Sequence, residues 1–232
     1  SFDRMTAEYR QNLERSVQRE RELNETRLRM LQSQLNPHFL YNTLDCMKWL
    51  GVTGGAPQVA ELAADLAALL RAGISGSEYI TLEEELELIG RYLAIQEVRF
   101  GDRFVCELDV DERFQHYVVP KLILQPLVEN AIIHGILPSG RSGRITVRTR
   151  QEGSRLVLSV QDNGDGMEPM QLQQLRQLLS GSQESGSIGM RNVARRLQLH
   201  FDGQCRFSVD SGPGRGTTVR LLLPMQGRRM NF

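Results

Sequence analysis

Pro37 is the first proline in the chain, and no glycine precedes it; it falls inside the stretch QLNPHFLYNTL, Gln34–Leu44. A proline within a helix removes a donor and crowds the carbonyl four residues back, here that of Ser33. Alternatively, Asn36 caps a new helix and Pro37 takes its first position, where a missing N–H costs nothing. On either reading the backbone changes course at His38, and a side chain at such a point can be presented outward. Taken alone, His38 is an ordinary surface or core residue. Its meaning depends on motifs far downstream.

The chain before Pro37 is dense in Glu, Arg and Gln. Its apolar residues fall at Phe2, Met5, Tyr9, Leu13 and Val17, then at Leu28, Leu31 and Leu35. Those spacings of three and four draw a narrow helical stripe. A helix this polar buries too little by itself, so a parallel partner and a dimeric coiled coil are expected. After His38 the helical pattern runs through Met47 and Leu50 to the glycine-rich GVTGG. Pro57 opens a second helix, with Val59, Leu62, Leu66 and Leu69 on one face, closing at Gly73. Two such hairpins related by a two-fold axis make a four-helix bundle, so a homodimer is expected. SGSE, 75–78, reads as the linker between this helical part and the remainder of the chain.

Composition narrows the partners. Lys plus Arg and Asp plus Glu both number 28, so no net field recruits nucleic acid or an anionic membrane. Cys46, Cys106 and Cys205 are scattered singly, fitting neither a disulfide framework nor zinc-ligand spacing. A reducing compartment is the simple reading. No apolar run reaches membrane-spanning length, and SFDRMTAEYR does not read as a signal peptide. A soluble piece is expected.

Beyond the linker, Thr81 and Glu84 form a capping-box pattern. Leu82, Leu86, Ile89, Leu93 and Gln96 then line one helical face as far as Gly101. FVCELDV reads as a strand, and Pro120 is expected to begin the helix PKLILQPLVENAIIHGI. ITVRT (145–149) and LVLSV (156–160) alternate like strands covered on one face. The loop DNGDGM comes next, then a helix over 169–179 and a linker, GSQESGS, at 181–187. A helix over Gly189–Phe201 leads to strands at 205–209 and 217–223, joined by SGPGRG. The pattern predicts helices on one face of a mixed sheet, an α/β sandwich, and an α+β chain as a whole.

This second part offers a ligand several groups. Asp162 ends a strand, where a carboxylate can accept a hydrogen bond from an exocyclic amine. Gly164 and Gly166 let a planar base approach the backbone. Gly186 and Gly189 precede a helix N-terminus, where backbone N–H groups can meet phosphate oxygens. Asn130 and His134 share a helical face. Asn130 can offer oxygen to Mg²⁺, and His134 can donate to a phosphate. Each signal alone has an ordinary explanation, as a turn, a flexible loop or a hydrogen-bonded core amide; together and in this order they point to a nucleotide.

QSQLNPHFLYNTL resembles the phosphoacceptor stretch of sensor histidine kinases of the LytS/YesM type. QPLVENAIIHG is similar to the N box of the gyrase, heat-shock-chaperone, histidine-kinase and mismatch-repair ATPase superfamily. DNGDGM resembles its first glycine box, GSIGMRN its second, and GTTVRLLLP its closing strand. ITLEEELELIGRYLAIQEVRFGDRF resembles the helix that opens the domain in this branch, and SFDRM more weakly resembles the end of a membrane-proximal HAMP linker. The resemblance spans residues 28–224 and implies a Bergerat-type ATP-binding domain.

Residue by residue, it implies that His38 accepts the γ-phosphoryl of ATP, Asn130 holds Mg²⁺ and Asp162 binds the adenine amine. It implies that Gly164 and Gly166 shape the base pocket, Gly186 and Gly189 border the lid and phosphates, and Thr217 lies near the base. It implies a signalling helix over 1–30, a dimerising phosphotransfer hairpin over 31–76 and a catalytic domain over 77–227. A response-regulator aspartate is the implied partner. The implied setting is the cytoplasmic side of the cell membrane, with a membrane sensor region elsewhere. This sequence departs from the family at Ile133, where many relatives have lysine, and at Ser187, where many have glycine. It also has Phe39 where the best-known kinases of the superfamily have an acidic residue. Arg191, Arg195 or Arg196 either compensates for Ile133 or forms a solvated helix face. Asn42 either orients His38, positions a water, or pairs with the backbone. Two classes compete: a related ATPase or serine kinase, which leaves the His38 helix unexplained, and a dimerisation and docking scaffold without ATP turnover, which only Ile133 and Phe39 suggest.

Overall fold

The computed structural model describes residues 37–74, 77–179 and 188–225. The coiled coil expected over 1–35, Asn36, Gly186, Ser187 and the linker residues at 75–76 and 181–187 lie outside these. Two compact units divide the chain, Ser1–Ala63 and Ala64–Phe232, with the break inside the second helix.

The first unit contains α1 (Pro37–Thr53) and the beginning of α2 (Pro57–Ile74). The turn between them closes when the N–H of Gly54 donates to Leu50 and that of Ala56 to Gly51, both at 2.8 Å. A Cβ on Gly51 would stand 2.7 Å from the nitrogen of Ala60 and 3.0 Å from the carbonyl oxygen of Ala56. The two helices therefore meet backbone to backbone at this one glycine. Along α2 the buried positions are Ala60, Ala63 and Ala67, whereas Val59 and Leu66 of the expected apolar face are exposed. On α1, Phe39, Trp49, Leu50 and Val52 are exposed as well.

In the second unit, β1 (Tyr79–Thr81) precedes α3 (Leu82–Phe100). The capping box is formed as expected: Thr81 Oγ1 accepts the N–H of Glu84, and the Glu84 carboxylate accepts the N–H of Thr81. Gly101 ends the helix. β2 (Phe104–Asp109), β4 (Gly143–Glu152), β5 (Arg155–Asp162), β6 (Arg206–Ser211) and β7 (Thr217–Pro224) form one sheet in the order β2-β4-β5-β7-β6. β2 runs parallel to β4, and the remaining pairs are antiparallel. The strand alternation read from the sequence is present: Ile145, Val147, Leu156, Leu158, Val160, Val219, Leu221 and Leu223 face the core. Arg144, Arg148 and Arg150 point to the other face and pair with Glu107 or Asp109 of the neighbouring β2. Helices α3, α5 (Pro169–Leu179) and α6 (Ile188–His200) contribute Ile89, Leu172, Leu175, Val193 and Leu197 to the same core.

One expected element starts in a different place. Pro120 does not open a helix; it ends β3 (Val118–Pro120), which pairs antiparallel with β1. Leu122 then adopts φ +58°, which no right-handed helix contains. α4 begins only at Gln125, with Pro126 in its first turn, and runs to Asn130. It continues as a π-helical turn over Ala131–Ile136.

The Gly51 contact makes a prediction. Gly51→Ala should destabilise the hairpin by about 1–3 kcal/mol, because the added methyl meets backbone and not a movable side chain. Trp49 is the only tryptophan, so its fluorescence during urea unfolding reports on this hairpin. An unchanged midpoint would show that the helices separate there without cost.

Candidate functional site

The period of two along β5 decides where its last residue points. Leu156, Leu158 and Val160 face the core, and Asp162 continues that row. Thr217 begins the corresponding inward row of β7, ahead of Val219 and Leu221. A carboxylate and a hydroxyl are thus delivered, side by side, to the helix-covered face of the sheet. Asp162 is 4% exposed. Its Oδ1 accepts the N–H of Gly164 at 2.9 Å and that of Thr217 at 3.2 Å. Burial raises its pKa above the usual carboxylate value, and these two backbone bonds oppose the rise.

The loop after Asp162 is pressed against backbone on both sides. A Cβ on Gly164 would lie 2.0 Å from the carbonyl oxygen of Gly135. Gly166 has φ +71°, and a Cβ there would lie 2.0 Å from the carbonyl oxygen of Gly212. The N–H of Gly214 donates to Asp165 at 2.6 Å, and Ser211 Oγ accepts the N–H of Met167 at 2.9 Å. The turn SGPGRG therefore braces the loop DNGDGM from below.

On the opposite side stands α4. Asn130 is half-buried and His134 exposed at the rim. Asn130 Nδ2 donates to the carbonyl of Pro126 at 2.5 Å, leaving its amide oxygen as the atom available to a cation. Ile133 packs against the core, so this position brings no basic group to the site. Gly189, near the start of α6, would bring a Cβ to 3.3 Å from Pro126, which places that helix end beside the first turn of α4.

These elements enclose a cavity of about 270 Å³. Of the residues singled out in the sequence, Asn130, His134, Asp162, Gly166 and Thr217 line it. Gly164 stands behind Asp162, and Gly189 stands beside α4. The apolar walls were not anticipated: they come from Leu127, Ala131, Val160, Met167, Leu175, Met190 and Val219. Gly135 was also missed. A Cβ on it would stand 2.7 Å from the Asp162 carboxyl carbon. A glycine inside an otherwise apolar helical run was the available signal, since it is tolerated there chiefly for close approach. An apolar slot with one buried carboxylate suits a planar, amine-bearing base, and the polar rim suits a charged tail.

His38 and Asn42 lie on α1, in the first unit, and both are exposed. Asn42 Nδ2 stands 3.3 Å from His38 Nδ1 and 3.5 Å from Nε2.

Comparison with known families bears on both units. Residues 26–104 match the family model described as "Histidine kinase". Residues 117–227 match the one described as "Histidine kinase-, DNA gyrase B-, and HSP90-like ATPase". The chain belongs to the histidine kinase family. Among histidine kinases, "Sensor histidine kinase YesM" of Bacillus subtilis (strain 168) is 33% identical, over 91% of this chain and 36% of its own length. "Sensor histidine kinase YpdA" of Escherichia coli (strain K12) is 34% identical, over 87% of this chain and 33% of its own length. The chain thus spans about a third of the length of these curated relatives. A solved histidine kinase domain from the blue-light activated kinase of Erythrobacter litoralis is 17% identical. It superposes with a TM-score of 0.49 over 82% of this chain and 94% of that one, a likeness too loose to add to the fold above. The matched ATPase domain implies that the second unit binds a nucleotide.

Gly164→Ala tests how tightly the loop and α4 are fitted. The new methyl would collide with the Gly135 carbonyl, so nucleotide affinity should fall at least about tenfold. Calorimetric titration with ATP measures it. Unaltered affinity would mean that the loop can withdraw from α4 without disturbing the cavity.

Proposed function

We propose that this chain is the kinase portion of a two-component sensor: it transfers the γ-phosphoryl of ATP to His38 and then passes it to an aspartate of a response regulator. The observation that carries this reading is the buried Asp162 carboxylate in an apolar slot whose rim holds Asn130 and His134. In this reading Asp162 accepts the adenine amine while Gly164, Gly166 and Thr217 shape the base site. Asn130 and His134 face the phosphates, and Gly186 and Gly189 border them. Among the described residues no three His, Cys, Asp or Glu side chains gather as a metal cage. A Mg²⁺ ion would therefore rest on the Asn130 amide oxygen together with phosphate and water oxygens, and it would neutralise phosphate charge there.

The protein's own part in the transfer is positioning and charge placement. A neutral imidazole is a nucleophile near neutral pH. The attacking ring nitrogen of His38 forms the N–P bond with its lone pair. The bond from the γ-phosphorus to the bridging oxygen breaks, and ADP leaves with that electron pair. The other ring nitrogen holds its proton and needs an acceptor. Phe39 offers none, and rotation of the neighbouring Asn42 amide would present its oxygen to that N–H.

The exposed Phe39, Trp49, Leu50 and Val59 on the hairpin support a homodimer built on residues 31–76, with a signalling helix over 1–30 and the catalytic domain over 77–227. Among the described residues no helix is long and apolar enough to cross a membrane. The matched relatives are named as sensors and are much longer, which supports a place on the cytoplasmic side of the cell membrane, joined to a sensor region.

The test is labelling from γ-labelled ATP. The wild-type chain should acquire acid-labile label, and His38→Gln should acquire none while retaining its ATP affinity. Acid-stable label, or label persisting in His38→Gln, would contradict the assignment.

A further inference from the structure

The entry to α4 carries no side-chain cap of its own. The N–H of its N-cap residue, Leu124, and that of Leu122 just before it are met from another helix. Glu85 of α3 is fully buried, and its Oε2 accepts the N–H of Leu122 at 2.7 Å while its Oε1 accepts that of Leu124 at 2.8 Å. Between these two bonds the chain makes the turn in which Leu122 takes φ +58°, a region that L side chains disfavour. A carboxylate removed from water in this way must be matched by donors, and here the donors are the peptide groups of one turn. Arg196 of α6 adds a favourable charge, though burial still dominates and raises the pKa of Glu85.

Glu85 ends a continuous line of attachment. The N–H of Lys121 donates to Glu78 at 3.0 Å, β1 pairs with β3, and the N–H of Leu82 donates to Tyr117 at 2.8 Å. The segment after the 75–76 linker is thereby bonded along its length to the segment that leads into α4. We infer that Glu85 is a positioning residue: through the N–H groups of Leu122 and Leu124 it sets where the Asn130–His134 helix stands, and so how well the site takes the phosphate end of a nucleotide. The inference rests on the nucleotide reading of the cavity. Its basis is how the polar groups of the site are divided: Asp162 and Thr217 belong to the sheet, whereas Asn130 and His134 ride on the turn that Glu85 holds, together with the Leu127 and Ala131 wall.

That division supplies the test. In Glu85→Gln the amide keeps the shape but turns a donor toward one of the two N–H groups. With the full chain, Glu85→Gln should bind ATP with Mg²⁺ about tenfold more weakly, while adenosine, which loses only part of its apolar wall, should weaken by no more than about threefold. Glu85→Asp, which keeps the charge and shortens the reach, should show the same split and serves if the amide variant does not fold. Thr81→Ala removes the cap of the same helix without touching the turn. It should lower the thermal midpoint and leave the ratio of ATP to adenosine affinity unchanged. A parallel loss of both ligands, no loss of either, or the same split in Thr81→Ala would overturn the inference. Amide exchange in the ligand-free chain separates it from the nucleotide reading. Glu85→Gln should speed exchange over 122–134 and leave β5 and β7 unchanged, and unaltered exchange over 122–134 would overturn the inference. Failure of the wild-type chain to bind either adenosine or ATP would instead refute the nucleotide reading.

Discussion

Asp162 Oδ1 accepts two peptide N–H groups, those of Gly164 and Thr217, and the rest of the nucleotide-binding unit is arranged so that it can. A buried carboxylate is tolerated only where donors surround it. Those donors come from the residues just past the end of one strand and at the beginning of its neighbour, so β5 and β7 must pair in the register that sets Gln161 opposite Thr218. Bringing that much backbone to one carboxylate leaves no room for side chains. Hence Gly164 abuts the Gly135 carbonyl, and a Cβ on Gly135 would strike the carboxylate itself. The glycines of the site are thus a packing requirement before they are a matter of flexibility.

A second buried carboxylate plays the matching part on the helical side. Glu85 fixes the turn that aims α4, as Asp162 fixes the loop that faces it. Between the two, Leu127, Val160, Met190 and Val219 form the apolar walls of the slot. The hairpin is built on a different principle. There, a single glycine lets two helices touch, Ala60 and Ala63 are buried with Leu44, and Phe39, Trp49, Leu50 and Val59 remain outside. Such a surface, together with the exposed His38, fits a reading in which the hairpin works by meeting partners.

Much of this was legible in the sequence, for identifiable reasons. The Thr81–Glu84 box is a local code, and it forms in the folded chain. Strand alternation is equally local, and it carries Asp162 and Thr217 to the inner face by parity alone. What escaped depended on distant contacts. KLIL after Pro120 looks helical by composition, yet β1, from much earlier in the chain, takes Val118–Pro120 as a strand, and Glu85 holds Leu122 out of helical geometry. The three-residue strands β1 and β3 are too short to show a period. The stripe through Val59 and Leu66 reads as an apolar face, but which side of a helix is covered within one chain depends on the partner helix, and here the alanines are. The π turn at Ala131–Ile136 has no signature of its own beyond the glycine it contains.

Central to the proposed function is the reading that Asp162 accepts an exocyclic amine in a buried apolar slot. Replacing ATP by inosine triphosphate tests this on the ligand and leaves the protein untouched, because the amine donor becomes a carbonyl acceptor facing the carboxylate. Side-by-side calorimetric titrations with Mg²⁺ should give ATP an affinity at least about tenfold higher, the expected consequence of one mismatched buried pair. Equal affinities would contradict the claim and leave Asp162 as a structural carboxylate only.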